Sequence, residues 1–539
     1  MFYKFRPITL LYGGLGIVAI FCVAGGCSPE HYKAEADKEV YNIIDGKWQD
    51  GFGAKVNYKV SDVPPSANDV QIENAVPPSG VITLAQAVAM ATAHNRAYQT
   101  QKEALYLSAL SLTDERYKYA RQWFGTIDGR YFSEGGEEDV LVGGSDEGLA
   151  GFDQLHLLGD GVLISTGLAI DWARFLSGDP RTTLRSVLTA TITAPILGSG
   201  AGKVAREQLT QAERNVLYDI RAFNRYRKTF VVDIVTDYYN VLQQRDLVTN
   251  AGNNYKRAVE SKERLEMESE AGRKSRIDVD EAEQNVLTAE SRVVAAKERY
   301  EQSLDAFKIR LSLPTDANVV LDQNELRALE EMGISEIEYT LDEAIETALL
   351  RRLDLANSAD FIDDAERNVS LGAEGLGPQL NLTGGANVES REKTDFSRLQ
   401  FHEGIYDLRL EADLPFDRKT QRNAYRQALI TLERQQRQYE DDKERIKLAV
   451  RSAYRRLKET ADRYKIEKNS LNLAEERVKM NKVLLDAGRV TTRILLLSQD
   501  ALLEAQNNVT RALIEHLDAR LSFYRDVGIM QVRPDGMWE

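Results

Sequence analysis

The sequence predicts a mainly α protein made of two tandem repeats, each joining long coiled-coil helices to two β-strands of the membrane-barrel type. Three observations carry that prediction. No proline falls between Pro195 and Pro314, and none between Pro415 and Pro534, so two very long stretches are free to be helical. Each stretch holds one Ala-Gly-Arg, at Ala271-Gly272-Arg273 and Ala487-Gly488-Arg489, where glycine supplies a helix stop and a turn. Finally, Tyr406, Leu408, Leu410, Ala412 and Leu414 alternate with Asp407, Arg409, Glu411 and Asp413, a period of two that gives a strand one apolar and one charged face.

The chain is long enough for several domains, but internal repetition makes one architecture of that length. Net charge is −15 and no basic stripe carries interleaved aromatics, which argues against nucleic acid as a partner. The two cysteines, Cys22 and Cys27, build neither a disulfide framework nor a thiolate metal site. Residues 1–26 read as a secretory signal, with Lys4 and Arg6 before an apolar run from Ile8 to Val23. No later stretch is apolar enough for a transmembrane helix.

Residues 27–80 read as an extended arm over the main body, because Val63-Pro64-Pro65 and Val76-Pro77-Pro78 favour open backbone. Thr83-Leu84-Ala85-Gln86 is a capping box that opens a helix to about Trp123, and Thr340-Leu341-Asp342-Glu343 repeats it. Aligning the two pairs Ala87 with Ala344 and Ala91 with Ala348, which argues for a duplication: 81–315 and 339–529, joined by 316–338 and followed by a tail, 530–539. Strands are expected at Leu163–Trp172 and Val187–Ala194, with Gly178-Asp179-Pro180 between them, and at Leu380–Val388 and Tyr406–Leu414. Residues 124–134 are a third candidate in the first repeat, and the Gly- and acid-rich 135–160 are expected as loop.

The long helices start near Lys203 and Lys419 and run to the glycine turns, close to about 100 Å each at 1.5 Å per residue. Val450, Leu457, Tyr464, Leu471, Val478 and Leu485 keep heptad spacing. Ile234, Val241, Val248 and Tyr255 do the same at the offset that maps Gly272 on Gly488.

Two resemblances add to this reading. Ala24-Gly25-Gly26-Cys27 resembles a bacterial lipobox, with Ala24 in place of its usual leucine; it implies a lipid on Cys27, and Ser28 after it implies sorting to the outer membrane. The order of elements resembles the TolC-like outer-membrane efflux proteins over about 81–529. The Thr-Leu-x-x-Ala openings carry it, with Pro195-Ile196-Leu197-Gly198, Ala271-Gly272-Arg273 ahead of Asp278-Val279, and Leu311-Ser312-Leu313-Pro314. That resemblance implies a homotrimer with four strands per chain in a twelve-stranded barrel, continued by an α-helical tunnel across the periplasm. Four strands cannot close alone, and lipid tolerates no open sheet edge. The implied partners are a periplasmic adaptor (membrane fusion) protein, an inner-membrane pump of the RND, ABC or MFS class, and outer-membrane lipid. The implied function is a passive conduit of a tripartite efflux or type I secretion system. The alternative is a lipid-anchored periplasmic coiled-coil scaffold without a pore, its period-two segments forming a soluble sheet.

The resemblance gives the candidate sites. Gly272, Arg273, Gly488 and Arg489 are adaptor-docking turns. Asp278 and Asp280 are candidates for an acidic ring at the tunnel end, beside their plain role as acids in a helix's first turn. The family often carries acids at the positions of Ile494 and Leu497, where this chain is apolar; Ile494-Leu495-Leu496-Leu497 is a candidate for an apolar gate, with a buried interface stripe as the plainer reading. Asp407, Arg409, Glu411 and Asp413 are expected to face the barrel lumen. No enzyme, metal or cofactor is expected. His31, His94, His156, His402 and His516 are scattered, and Gly198-Ser199-Gly200-Ala201-Gly202-Lys203 fails as a phosphate loop because Leu197 and Val204 stand where it needs Gly and Ser or Thr.

Overall fold

The computed structural model describes residues 28–533 apart from 62, 64–65, 70–75, 128–129, 133–139, 144–149, 176–181, 198–200, 335–338, 392–397 and 415. The signal segment, Cys27, Gly178-Asp179-Pro180, the start of the glycine-rich stretch at 198–200 and most of the tail lie outside the described residues.

Two helical hairpins dominate. In the first, α4 (Ala201–Glu270) turns into α5 (Arg276–Arg310). In the second, α9 (Lys419–Asp486) turns into α10 (Thr492–Val527). The long arms have 70 and 68 residues, as the proline-free intervals require. Gly272 and Gly488 take φ of +72° and +67°, the left-handed region open to glycine at little cost. In each turn the following arginine amide returns to the helix, Arg273 N–H to Glu268 O and Arg489 N–H to Leu484 O at 2.8 Å, which closes a Schellman motif. No atom stands within 4 Å of where a Cβ would be at either glycine, so conformation and not space selects it.

The heptad positions Val450, Leu457, Tyr464 and Leu485 are buried between α9 and its neighbours, as are Ile234 and Val241 on α4. Both capping boxes form. Thr83 starts α2 (Leu84–His94) and Thr340 starts α7 (Leu341–Arg351), each accepting the N3 amide while Gln86 or Glu343 reaches back. Neither helix runs on unbroken. Asn95 ends α2 and caps α3 (Arg96–Tyr117), its side chain accepting from Tyr98 N–H and donating to Arg310 O. Arg352, the aligned position, separates α7 from α8 (Leu353–Glu374). The matching break supports the duplication, although no Gly or Pro marks it.

The arm is not extended throughout. Pro29 sits at the first position of α1 (Pro29–Lys47), whose Val40, Ile43 and Ile44 enter the main core beside Trp48 and Phe52. That core packs the middle of α4, from Val216 to Leu242, against α1, α2, α3 and part of α10. Arg227 on α4 is 1% exposed and donates to Ala54 O at 2.7 Å, Val56 O at 3.1 Å and Asn224 Oδ1 at 3.0 Å, which ties the arm down. The inter-repeat segment contributes β8 (Val320–Leu321), parallel to β1 (Val81–Ile82), and α6 (Asn324–Met332).

The sheet differs most from expectation. The second repeat supplies two strands, β9 (Gln379–Glu389) and β10 (Ile405–Asp413), as its alternation requires. The first supplies the expected β6 (Leu163–Phe175) and β7 (Thr182–Leu197), both longer than expected. It also supplies β2 (Gln122–Ile127), β3 (Arg130–Phe132), β4 (Val140–Gly143) and β5 (Ala150–Leu157). Residues 140–143 and 150–157 are therefore strand and not loop, and two strands per repeat holds only for the second. The pairing is antiparallel throughout, in the order β10, β9, β7, β6, then β4 and β5 side by side along β6, then β3 and β2. Pro195 is accommodated at a bulge between β7 and β9, where a missing N–H is tolerated.

Candidate functional site

The strand face is built by register. Cross-strand partners share a face of the sheet. On one face Leu188, Ala190, Ile192 and Ala194 of β7 meet Val388, Ala386, Gly384 and Leu382 of β9, which meet the even-numbered side of β10. On the other, Thr189, Thr191 and Thr193 meet Asn387, Gly385 and Thr383, and Gly385, Thr383, Asn381 and Gln379 meet Asp407, Arg409, Glu411 and Asp413 in turn. The four charged candidates therefore lie on one polar face, all exposed. Glycine gives the Asp407 carboxylate its place, because a Cβ at Gly385 would collide with Asp407 Oδ1. Sequence reasoning missed Asp153, Arg185 and Glu389 on that face; Arg185 and Glu389 pair at 2.8 Å. Both faces of β10 are open within one chain, its apolar side as well as its charged side.

The two turns stand at the far end of the hairpins. Gly272, Arg273, Gly488 and Arg489 are all exposed. Their next residues differ in chemistry. Asp278 completes a capping box: Ser275 Oγ donates to its carboxylate at 2.8 Å, and Asp278 N–H donates back to the hydroxyl at 3.3 Å. The Ser275 hydroxyl holds the Asp278 carboxyl below the usual carboxylate range. Asp280 pairs with Arg276 at 3.3 Å. Both acids thus already have partners within their own first turn. At the second turn Ile494 and Leu497 are exposed, whereas Leu495 and Leu496 are buried near Leu265 and Leu485. The four-residue apolar run is split by helical periodicity into a buried pair and an exposed pair.

Polar contacts join the two hairpins along their length. Arg292 meets Asp500 at 2.6 Å, Thr236 donates to Asp518 at 3.1 Å, and Arg264 bonds Asp486 near the tips. Thr510 Oγ1 donates to Asp246 at 2.8 Å; burial pushes that carboxyl up and the Thr510 and Asn250 bonds pull it back. No sequence motif marks these pairs, because each joins residues far apart in the chain. An exposed heptad was legible and went unread: Ile466, Leu473 and Met480 on α9 are 66%, 72% and 59% exposed. On α5, Leu287 and Val294 are also seven apart and exposed.

Among the described residues no group of three or more His, Cys, Asp or Glu side chains is placed to hold a metal, and no helix is long and apolar enough to cross a membrane. His516 is buried on α10, 3.3 Å from Thr460 Oγ1, in a structural setting.

The model of the outer membrane efflux protein family matches residues 344–528, from within α7 to the end of α10. Residues 344–528 belong to the outer membrane efflux protein family. Solved channels share the fold of most of the chain. The CusC structure, described in terms of folding and transmembrane channel formation, superposes with a TM-score of 0.60 at 14% identity, covering 87% of this chain and 98% of that one. The open state of the Neisseria gonorrhoeae MtrE outer membrane channel gives 0.60 at 13% identity, covering 89% and 98%. The Campylobacter jejuni CmeC outer membrane channel gives 0.59 at 13%, covering 89% and 91%. No curated protein matches the sequence. The fold is thus that of outer-membrane channels, with the efflux domain in the second repeat.

Proposed function

We propose that the protein is the outer-membrane channel of a tripartite efflux or type I secretion system, a passive homotrimeric conduit for export. The part of the sheet formed by β7, β9 and β10, with one apolar and one polar face, carries this reading, because such a wall suits lipid on one side and water on the other. Its outer edges have to pair with further strands in a membrane, and copies of the chain supply them. The exposed apolar stripes of α9 and α5 support side-by-side packing of copies into a tunnel. Lipid on Cys27 holds the chain to the outer membrane. Gly272, Arg273, Gly488 and Arg489 present the tunnel tip to a periplasmic adaptor, which links it to an inner-membrane pump of RND, ABC or MFS type. Ile494 and Leu497 line the constriction at that tip in place of acids, and Asp278 and Asp280 stabilise their helix.

The test is conductance in planar bilayers. The purified protein is expected to form open, non-rectifying pores, and Asp407→Asn with Glu411→Gln is expected to shift ion selectivity away from cations. Absence of conductance from a protein that stays monomeric in detergent rejects the channel and favours the lipid-anchored scaffold.

A further inference from the structure

We infer that the cavity between the two hairpins, just behind their turns, binds a small oxoanion of the phosphate class, and that this anion clamps the hairpins together. Binding stands by itself, whereas its effect on the pore rests on the channel reading above. The cavity holds about 250 Å³ and lies between α4, α9 and α10.

Its most informative wall is Arg257 on α4. Nε and Nη2 of this side chain are both buried, and neither has a hydrogen-bond partner. These two nitrogens form one edge of the guanidinium fork, which grips two oxygens of a single oxoanion in parallel bonds. A buried charged donor without an acceptor is strongly unfavourable, so a pair of them on one edge calls for a ligand. Burial pushes the Arg257 pKa down, and Glu260 pulls it back without accepting from either nitrogen. Arg264, two turns further along α4, shows the contrast, because Glu268 and Asp486 take its guanidinium.

The seam around Arg257 points the same way. Asn250, Asn254, Arg257 and Ser261 follow one another on α4 at spacings of three and four, so they share a face. Nearer the barrel on that face the hairpins meet directly, with Asn250 donating to Asn507 at 3.1 Å and Thr510 to Asp246 at 2.8 Å. At Arg257 the direct pairing stops and the cavity opens.

Across the cavity, Gln499 on α10 is 6% exposed and its Oε1 has no partner. Gln499 Nε2 lies 3.5 Å from Ser261 Oγ, at the limit of a hydrogen bond. A hydrogen phosphate satisfies both kinds of group: its oxygens accept from Arg257, and its hydroxyl donates to Gln499 Oε1. Lys482 on α9 brings a second cation to the rim, exposed and without an ion pair among the described residues. Buried Leu265, Leu485 and Leu495 complete the lining and keep the local dielectric low, which strengthens the attraction.

An anion held by Arg257, Gln499 and Lys482 ties together three helices that reach the tip. Without it, cations from the two hairpins face one cavity and repel each other. The tip is therefore held closed by the anion and loosened by its loss.

Thermal unfolding of the purified full-length protein tests the site, in inorganic phosphate against chloride at matched pH and ionic strength. Phosphate is expected to raise the midpoint with the logarithm of its concentration, as a ligand of the native state does. Arg257→Gln is expected to require roughly tenfold more phosphate for the same rise, the loss of one charged bidentate contact. Lys482→Gln, at an exposed position, is expected to weaken the response by less, and Arg273→Gln, outside the cavity, to leave it unchanged. Equal responses in all three variants, or none in the unaltered protein, overturn the site; ionic strength, water or a carboxylate of a neighbouring copy then accounts for the unpaired nitrogens. Single-pore recordings test the clamp: phosphate is expected to shorten open times in the unaltered protein and not in Arg257→Gln. Phosphate binding with unchanged open times overturns the clamp, whereas binding without any conductance overturns the channel reading and leaves the site standing.

Discussion

The two repeats share a skeleton and differ in what hangs on it. Phe307 and Phe523 occupy the same place on the return helices and are both buried, and Ile234 and Val450 do so on the long arms. Yet α4 carries the buried Arg227 where α9 carries Lys443, partly exposed and bonded to Glu440. The first turn leads into a side-chain cap and the second into apolar residues, with no side-chain cap at Thr491. The first repeat brings β2 to β7 to the sheet and the second only β9 and β10. The hairpins thus keep the duplicated geometry, while the arm, the tip and the strands carry what distinguishes the halves.

Substitutions that separate the repeats sharpen this comparison. The largest effect is expected at Arg227. Arg227→Ala leaves Ala54 O, Val56 O and Asn224 Oδ1 without their donor and frees the arm, at a cost of about 3 kcal/mol. Lys443→Ala is expected to leave the unfolding midpoint unchanged. Equal losses at the two sites in a denaturant series would break the distinction.

A smaller contrast lies at the turns. Ser275→Ala removes a capping box and is expected to destabilise the first tip by about 1 kcal/mol. Thr491→Ala removes no side-chain cap and is expected to be neutral, as read by amide hydrogen exchange around each turn.

The smallest effect concerns pH. Burial lowers the His516 pKa, with Arg520 adding to it, so the folded chain binds this proton less readily than the unfolded one. Its contribution is fully present above the unfolded value near 6.5 and is lost as the pH falls below it, by at most about 1.4 kcal/mol per unit. His516→Gln is expected to flatten that part of the stability profile. Tyr300, aligned with it in the first repeat, does not titrate there, since burial raises its pKa.

What was legible in the sequence follows from which forces are local. The glycine turns and the two capping boxes are set by backbone conformation and bonds within four residues, so Gly272, Gly488, Thr83 and Thr340 announced them. The alternation of β10 was plain because four charged residues stood between apolar ones. β4 and β5 were hidden because their partners are elsewhere in the chain, and because acids, as at Asp153 on β5, suit a polar sheet face as well as a loop. α1 was hidden by Pro29 and a polar surface, although Val40, Ile43 and Ile44 already had the spacing of a buried helical face. The pairs that join the hairpins, such as Arg292 with Asp500, left no local trace.

The most direct test of the whole account is the symmetry and closure of the intact assembly, by electron cryo-microscopy of the detergent-extracted full-length protein. The account predicts a threefold particle in which strands of three copies close into one barrel, with Asp407 facing the lumen and Gly272 and Gly488 at the far end of the tunnel. A monomer with both sheet edges free would contradict it.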